Sequence, residues 1–168
     1  MGTRTYRVLA GVALAGLGGL GLTGCEVSKT FAAQCVANPP APHQDIGVIS
    51  MTVDVPPEVE AGDTFTVVVR HVGVAAGPVE SPPPAELATI SVSGAATPSG
   101  GIGLSSNFEP VAWPAEVELT ATGAPGDTIA IGVASGTDVH VDGANIWGLT
   151  CSPSGSGHVA TIRLVEPS

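Results

Sequence analysis

Positive charge is the scarcest commodity in this chain. Its 168 residues carry five Lys and Arg against fifteen Asp and Glu, for a formal net charge of −10. Lys29 is the single lysine, and two of the four arginines, Arg4 and Arg7, fall in the first seven residues. Taking residues 1–24 away removes those two charges and no acid, so −10 becomes −12. A body whose basic residues are Lys29, Arg70 and Arg163 cannot neutralise a phosphate backbone, which excludes nucleic acid as a partner. The same shortage excludes electrostatic adhesion to anionic lipid, so any membrane attachment has to be covalent. Aromatic residues are only 4% of the chain, so a core must be built from Val, Ile, Leu and Ala. Helix formers are thin, whereas Val and Thr are plentiful and Gly and Pro number 23 and 15, a composition of strands and turns. Cysteine occurs three times, at Cys25, Cys35 and Cys151.

The N-terminus has a distinct organisation. Met1–Arg7 is a short positive region, Val8–Leu22 carries no charge, and Leu22-Thr23-Gly24-Cys25 follows. This order resembles a secretory signal. Its last four residues resemble the lipobox of bacterial lipoproteins, which implies cleavage before Cys25 and a thioether from Cys25 to diacylglycerol. The uncharged stretch is too short and too glycine-rich for a transmembrane helix, which needs about twenty apolar residues. Cleavage at Ala13-Leu14-Ala15 would leave too little apolar sequence before it. The expected organisation is a leader over residues 1–24, a lipidated N-terminus with a short tether over 25–36, and one β-domain over 37–168. The implied location is extracytoplasmic, with the domain held to the cell membrane by lipid on Cys25.

With Cys25 assigned to lipid, Cys35 and Cys151 remain, and in an oxidising compartment they are expected to form a disulfide. The loop so closed, roughly 117 residues, corresponds to about 4 to 5 kcal/mol in the chain-entropy model. Residues 26–34 are expected to act as the tether, reaching at most about 30 Å.

From Ile46 onward the pattern is strand and turn. Ile46–Val55 alternates, with Gly47, Ile49, Met51, Val53 and Val55 as the apolar set. Pro56-Pro57 closes that strand. Thr64–Val72 follows with Phe65, Val67 and Val69 inward, then a proline-rich loop and a strand over Glu86–Ser93. Residues 94–106 read as a loop with one weak strand. Val117–Thr122 and Thr128–Val133 suggest a hairpin, Val139–Val141 and Ile146–Cys151 two short strands, and Val159–Val165 the last one. The phrase Ala61-Gly62-Asp63-Thr64 recurs as Pro125-Gly126-Asp127-Thr128, a turn leading into a strand. Seven to nine short strands without an amphipathic helix predict an all-β, antiparallel, immunoglobulin-like sandwich with one disulfide, a small closed barrel being the alternative.

The span Cys35–Cys151, with Val53-Asp54-Val55-Pro56-Pro57-Glu58-Val59-Glu60-Ala61-Gly62 and Cys151-Ser152-Pro153, resembles a group of secreted actinobacterial domains of unknown function. That resemblance implies an immunoglobulin-like sandwich with one disulfide and carries no activity with it.

Candidate chemistry is sparse. Cys151-Ser152-Pro153 invites comparison with plastocyanin-like copper sites, but Ser154 stands where histidine is needed and no methionine follows. Asp138, His140, Asp142 and Gly143 partly resemble a calcium loop; His140 is a poor calcium ligand and Leu149 replaces the closing Glu. Alternation nonetheless puts Asp138, His140 and Asp142 on one strand face, which leaves weak metal contact open. His43, His71, His140 and His158 sit in no nucleophile–base context, and Gly155-Ser156-Gly157 lacks the spacing of a nucleophile elbow. No cofactor and no enzymatic activity are expected. Trp113 and Trp147 are core plugs or, if exposed, recognition anchors. The leading expectation is a non-enzymatic module that binds an envelope protein or wall polymer. The alternatives are a carrier with an apolar cavity between its sheets and, third, a metal-binding or hydrolytic protein.

Overall fold

A computed structural model describes residues 24–38, 45–76, 88–104, 111–134, 137–140 and 148–168. Twelve strands run through them: β1 (Cys25–Asn38), β2 (Asp45–Val55), β3 (Glu58–Glu60), β4 (Thr64–Ala76), β5 (Thr89–Gly94), β6 (Ala96–Thr97), β7 (Gly100–Gly103), β8 (Ala115–Ala121), β9 (Thr128–Val133), β10 (Thr137–His140), β11 (Gly148–Pro153) and β12 (His158–Val165). They form two sheets, β10-β11-β1-β2-β4-β8-β6 and β3-β12-β9-β5-β7. All pairs are antiparallel except β3 with β12. The larger sheet curls, but β10 and β6 stay at its edges, so the expected sandwich prevails over the closed barrel. The strand count exceeds the expected seven to nine because short pieces such as β3, β6 and β7 are too brief to show alternation.

The core follows from alternation. In β2, Ile49, Met51 and Val53 are fully buried and Val55 nearly so, as their period-two spacing requires. In β4 the inward set changes partway, from Val67 and Val69 to Val72 and Val74. The cause is a bulge: Thr52 lies opposite His71 and Val53 opposite Val69, which leaves Arg70 as the extra residue. From the smaller sheet come Ile90, Val92, Ile129, Ile131, Ile162 and Leu164. Among the described residues these side chains join those of the larger sheet in one apolar cluster.

Three expectations need correction. The segment expected as a tether is a strand: Cys25 through Cys35 pair residue by residue with Val55 through Asp45. Ala33 and Cys35 are buried and Val27 and Phe31 half-buried, so the segment alternates like any sheet strand. Second, residues 117–133 are not a hairpin. β8 pairs with β4 and β6, whereas β9 pairs with β5 and β12, so the turn between them carries the chain from one sheet to the other. Third, the loop expected over 94–106 holds β6 and β7, which join different sheets.

The recurring phrase has a physical basis. Asp63 N–H donates to Glu60 O at 3.1 Å and Asp127 N–H to Ala124 O at 3.0 Å. Gly62 and Gly126 share a φ of 96°. Each is therefore a type II turn, whose third position needs the left-handed angle that glycine adopts freely.

Candidate functional site

The three cysteines are held in two different ways. Cys35 and Cys151 face each other across β1 and β11 and form the disulfide, with a Cα–Cα distance of 4.1 Å and 116 positions of sequence between them. This bridge staples neighbouring strands within one sheet. Cys25 opens β1 opposite Val55 as an exposed free thiol.

A groove lies at the Cys25 end of the molecule. After the pair Asp54–Val68, β2 has no further partner on β4, because Pro56-Pro57 turns the chain up into β3 of the other sheet. β4 continues through Thr66, Phe65 and Thr64 with that side uncovered. The resulting groove has a volume of about 770 Å³, with Gly24 at one margin and Val55, Val59, Phe65, Val68 and Val165 among its walls. Glu58, Glu60 and Asp63 stand around it, with Asp54 and Arg70 on its sheet side. Arg70, displaced outward by the bulge, forms an ion pair with Asp54 and a longer one, 3.4 Å, with Glu26. Its pKa is raised, first by the hydrogen bond to Asp54, then by the charges of Asp54 and Glu26. The groove's one cation is thus already engaged.

Lys29 also holds a structural post. It lies in the part of β1 that extends beyond β11, and its Nζ donates to His158 O of β12 at 3.2 Å, linking the two sheets across their open side. A lysine on an uncovered strand edge also opposes edge-to-edge pairing with another chain. Neither this role nor the Asp54–Arg70–Glu26 cluster was visible in spacing alone, since each depends on register.

Trp113 is half-buried and packs against the core, with its ring 6.2 Å from that of His71 at a 54° tilt. His71 lies over Gly73, where an added Cβ would overlap Nε2 of the imidazole and approach Ser50 Oγ at 3.1 Å. Because the obstructing atom is the end of a side chain, Gly73→Ala is expected to cost under about 1 kcal/mol while pushing His71 aside. In a Trp147→Phe background this appears as a changed Trp113 emission with little change in melting temperature. An unchanged emission contradicts the packing of His71 on Trp113.

His158 borders a shallow hollow with Ser91, Ser93 and Ser156, and its Nε2 is 3.1 Å from Thr161 Oγ1. No carboxylate lines that hollow. Asp138 and His140 belong to β10, while Asp142, Gly143, Trp147 and His43 lie outside the described residues. Among the described residues no group of three or more His, Cys, Asp or Glu is placed to hold a metal ion. Likewise among them, no helix is long and apolar enough to cross a membrane. No family model, curated protein or solved structure matches this chain.

Proposed function

We propose that this protein is a lipid-anchored extracytoplasmic binding module, carrying lipid on Cys25 and recognising an envelope protein or wall polymer without catalysis. The observation that supports it most is the direction of the connections. At the Cys25 end the strands are joined through residues 56–57, 61–63 and 122–127, compact links tied to the sheets by backbone hydrogen bonds such as Arg163 N–H to Pro57 O and Gly126 N–H to Leu164 O. The strand ends at Ala76, Gly103 and His140 lie on the opposite side. A chain anchored at Cys25 turns those strand ends away from the membrane, and recognition is carried by what strand ends present to solvent. Trp113, half-buried against the core just before β8, offers a partner the part of its indole that stays open.

Cys25→Ser tests the anchor: the variant is expected to leave the membrane fraction entirely, and its retention there defeats the anchored reading. Recognition is tested in cells with a photo-crosslinking residue at the exposed position Ala112 and another at Asp63. Adducts from position 112 and few from 63 are expected. The reverse pattern overturns the assignment of the recognition end.

A further inference from the structure

The groove beside Cys25 is not needed for recognition at the opposite end, yet it opens at the end where the anchor leaves. We infer that it seats one alkyl chain of the lipid carried by Cys25 itself, an inference that rests on the lipidation of that residue.

Proximity is the first reason. Gly24 forms part of the groove margin, so the thiol of Cys25 is one residue away. Cleavage before Cys25 removes Gly24 and opens that margin further. A chain tethered this close competes for the groove at high effective concentration, where a free lipid depends on its dilute concentration in solution. Size is the second. At roughly the 30 Å³ that a water molecule takes in the liquid for each methylene, a sixteen-carbon chain needs about 480 Å³. The groove holds about 770 Å³. The third reason is wall chemistry. Val55 and Val59 are almost wholly buried beneath it, and Phe65 and Val68 present half-exposed apolar surface. A chain lying on that surface withdraws the wall's own apolar area from water.

Charge separates this occupant from its competitors. Glu58, Glu60, Asp63 and Asp54 surround the groove, and Arg70 is committed to Asp54 and Glu26. A fatty-acid carboxylate or phospholipid phosphate would meet like charge with no free cation to receive it. The diacylglyceryl thioether carries no charge. The acidic surround therefore favours the neutral anchor over free anionic lipid. A seated chain is also a chain withdrawn from the bilayer, so the domain lies against the membrane with a weakened hold.

The test uses the full chain, produced with photoreactive diazirine palmitate in a host that processes lipoproteins. After illumination, mass spectrometry locates both the lipid and the crosslinks. Intramolecular crosslinks on residues 55–68 and at Val165 are expected, falling at least about fivefold in Val68→Trp, whose indole fills the groove from outside the core. The same variant, with unchanged melting temperature, is expected to transfer between phosphatidylcholine vesicles at least about tenfold more slowly, since both chains stay in the bilayer. Lipid on Cys25 with crosslinks only to surrounding phospholipid overturns the seat and leaves the anchor intact. A Cys25 without lipid overturns the anchored reading and, with it, the seat.

Discussion

Replacing Cys35 and Cys151 together by alanine is expected to lower the unfolding free energy by about 4 to 5 kcal/mol, as measured by urea titration. The magnitude comes from the loop. The bridge spans 116 positions, most of the folded domain, and releasing it returns that loop's conformational freedom to the unfolded chain. For a domain of this size the loss corresponds to a melting temperature lower by about 10 to 20 °C. The effect has a location as well. β11 meets β1 over Ala33–Asn38, β10 meets only β11, and both lie at the edge of the larger sheet. β2, β4 and β8 stand on the far side of β1 from them. Without the bridge, amide exchange is expected to rise first in β10 and β11 while β2 and β4 stay protected. Reductant acting on the native protein should reproduce the double substitution. A loss below 1 kcal/mol would show that the sheet holds its edge without the covalent link.

Gly94→Ala is the second large effect, with an expected cost of about 3 kcal/mol. Gly94 ends β5 with a φ of 89°. Its absent Cβ faces the backbone of the neighbouring strand, where an added carbon would overlap Thr128 O. Alanine thus meets two penalties, a left-handed backbone angle and a collision with an atom that no side-chain rotation can move. Gly62→Ala is the internal comparison. Gly62 has a φ of 96°, but nothing lies within 4 Å of the position its Cβ would take. It therefore bears the conformational penalty alone, about 1 kcal/mol. Chemical denaturation of the two variants side by side separates strain from collision; equal losses would contradict the collision at Gly94.

Gly94 also illustrates what a one-dimensional pattern hides. Ser93-Gly94-Ala95-Ala96 has the look of an ordinary loop, and nothing in it announces that a carbonyl of another strand lies against the glycine. The tether failed for a related reason. Lys29 interrupts the apolar alternation of Val27, Phe31, Ala33 and Cys35, so residues 26–34 look like a polar spacer. Register with β2 and the reach of Lys29 to His158 O make the segment a strand. Residues 117–133 have all the local signs of a hairpin, two strands about a Pro-Gly turn. Whether such a turn folds strands onto each other or sends the second into another sheet depends on which neighbours are already paired, and that is not local information.

Other elements were open to direct reading. β2 and the first half of β4 alternate cleanly because one face is buried and the other is wet. Even there, the inward set after Arg70 shifted with a bulge that no residue type announces. The groove came from two visible prolines, Pro56 and Pro57, but its existence required β4 to continue past the point where β2 departs.

Taken by itself, the sequence determined the all-β class, the inward residues of β2 and of the first half of β4, the two Gly-Asp turns and the pairing of Cys35 with Cys151. Each of these follows from little more than period-two burial, glycine at a left-handed angle and the arithmetic of three cysteines. Tertiary structure alone decided that the segment after Cys25 is a sheet strand, which sheet each short strand joins, how Arg70 is partnered and what lies beside Cys25. Those are questions of register and long-range contact, settled by the packing of residues far apart in the chain.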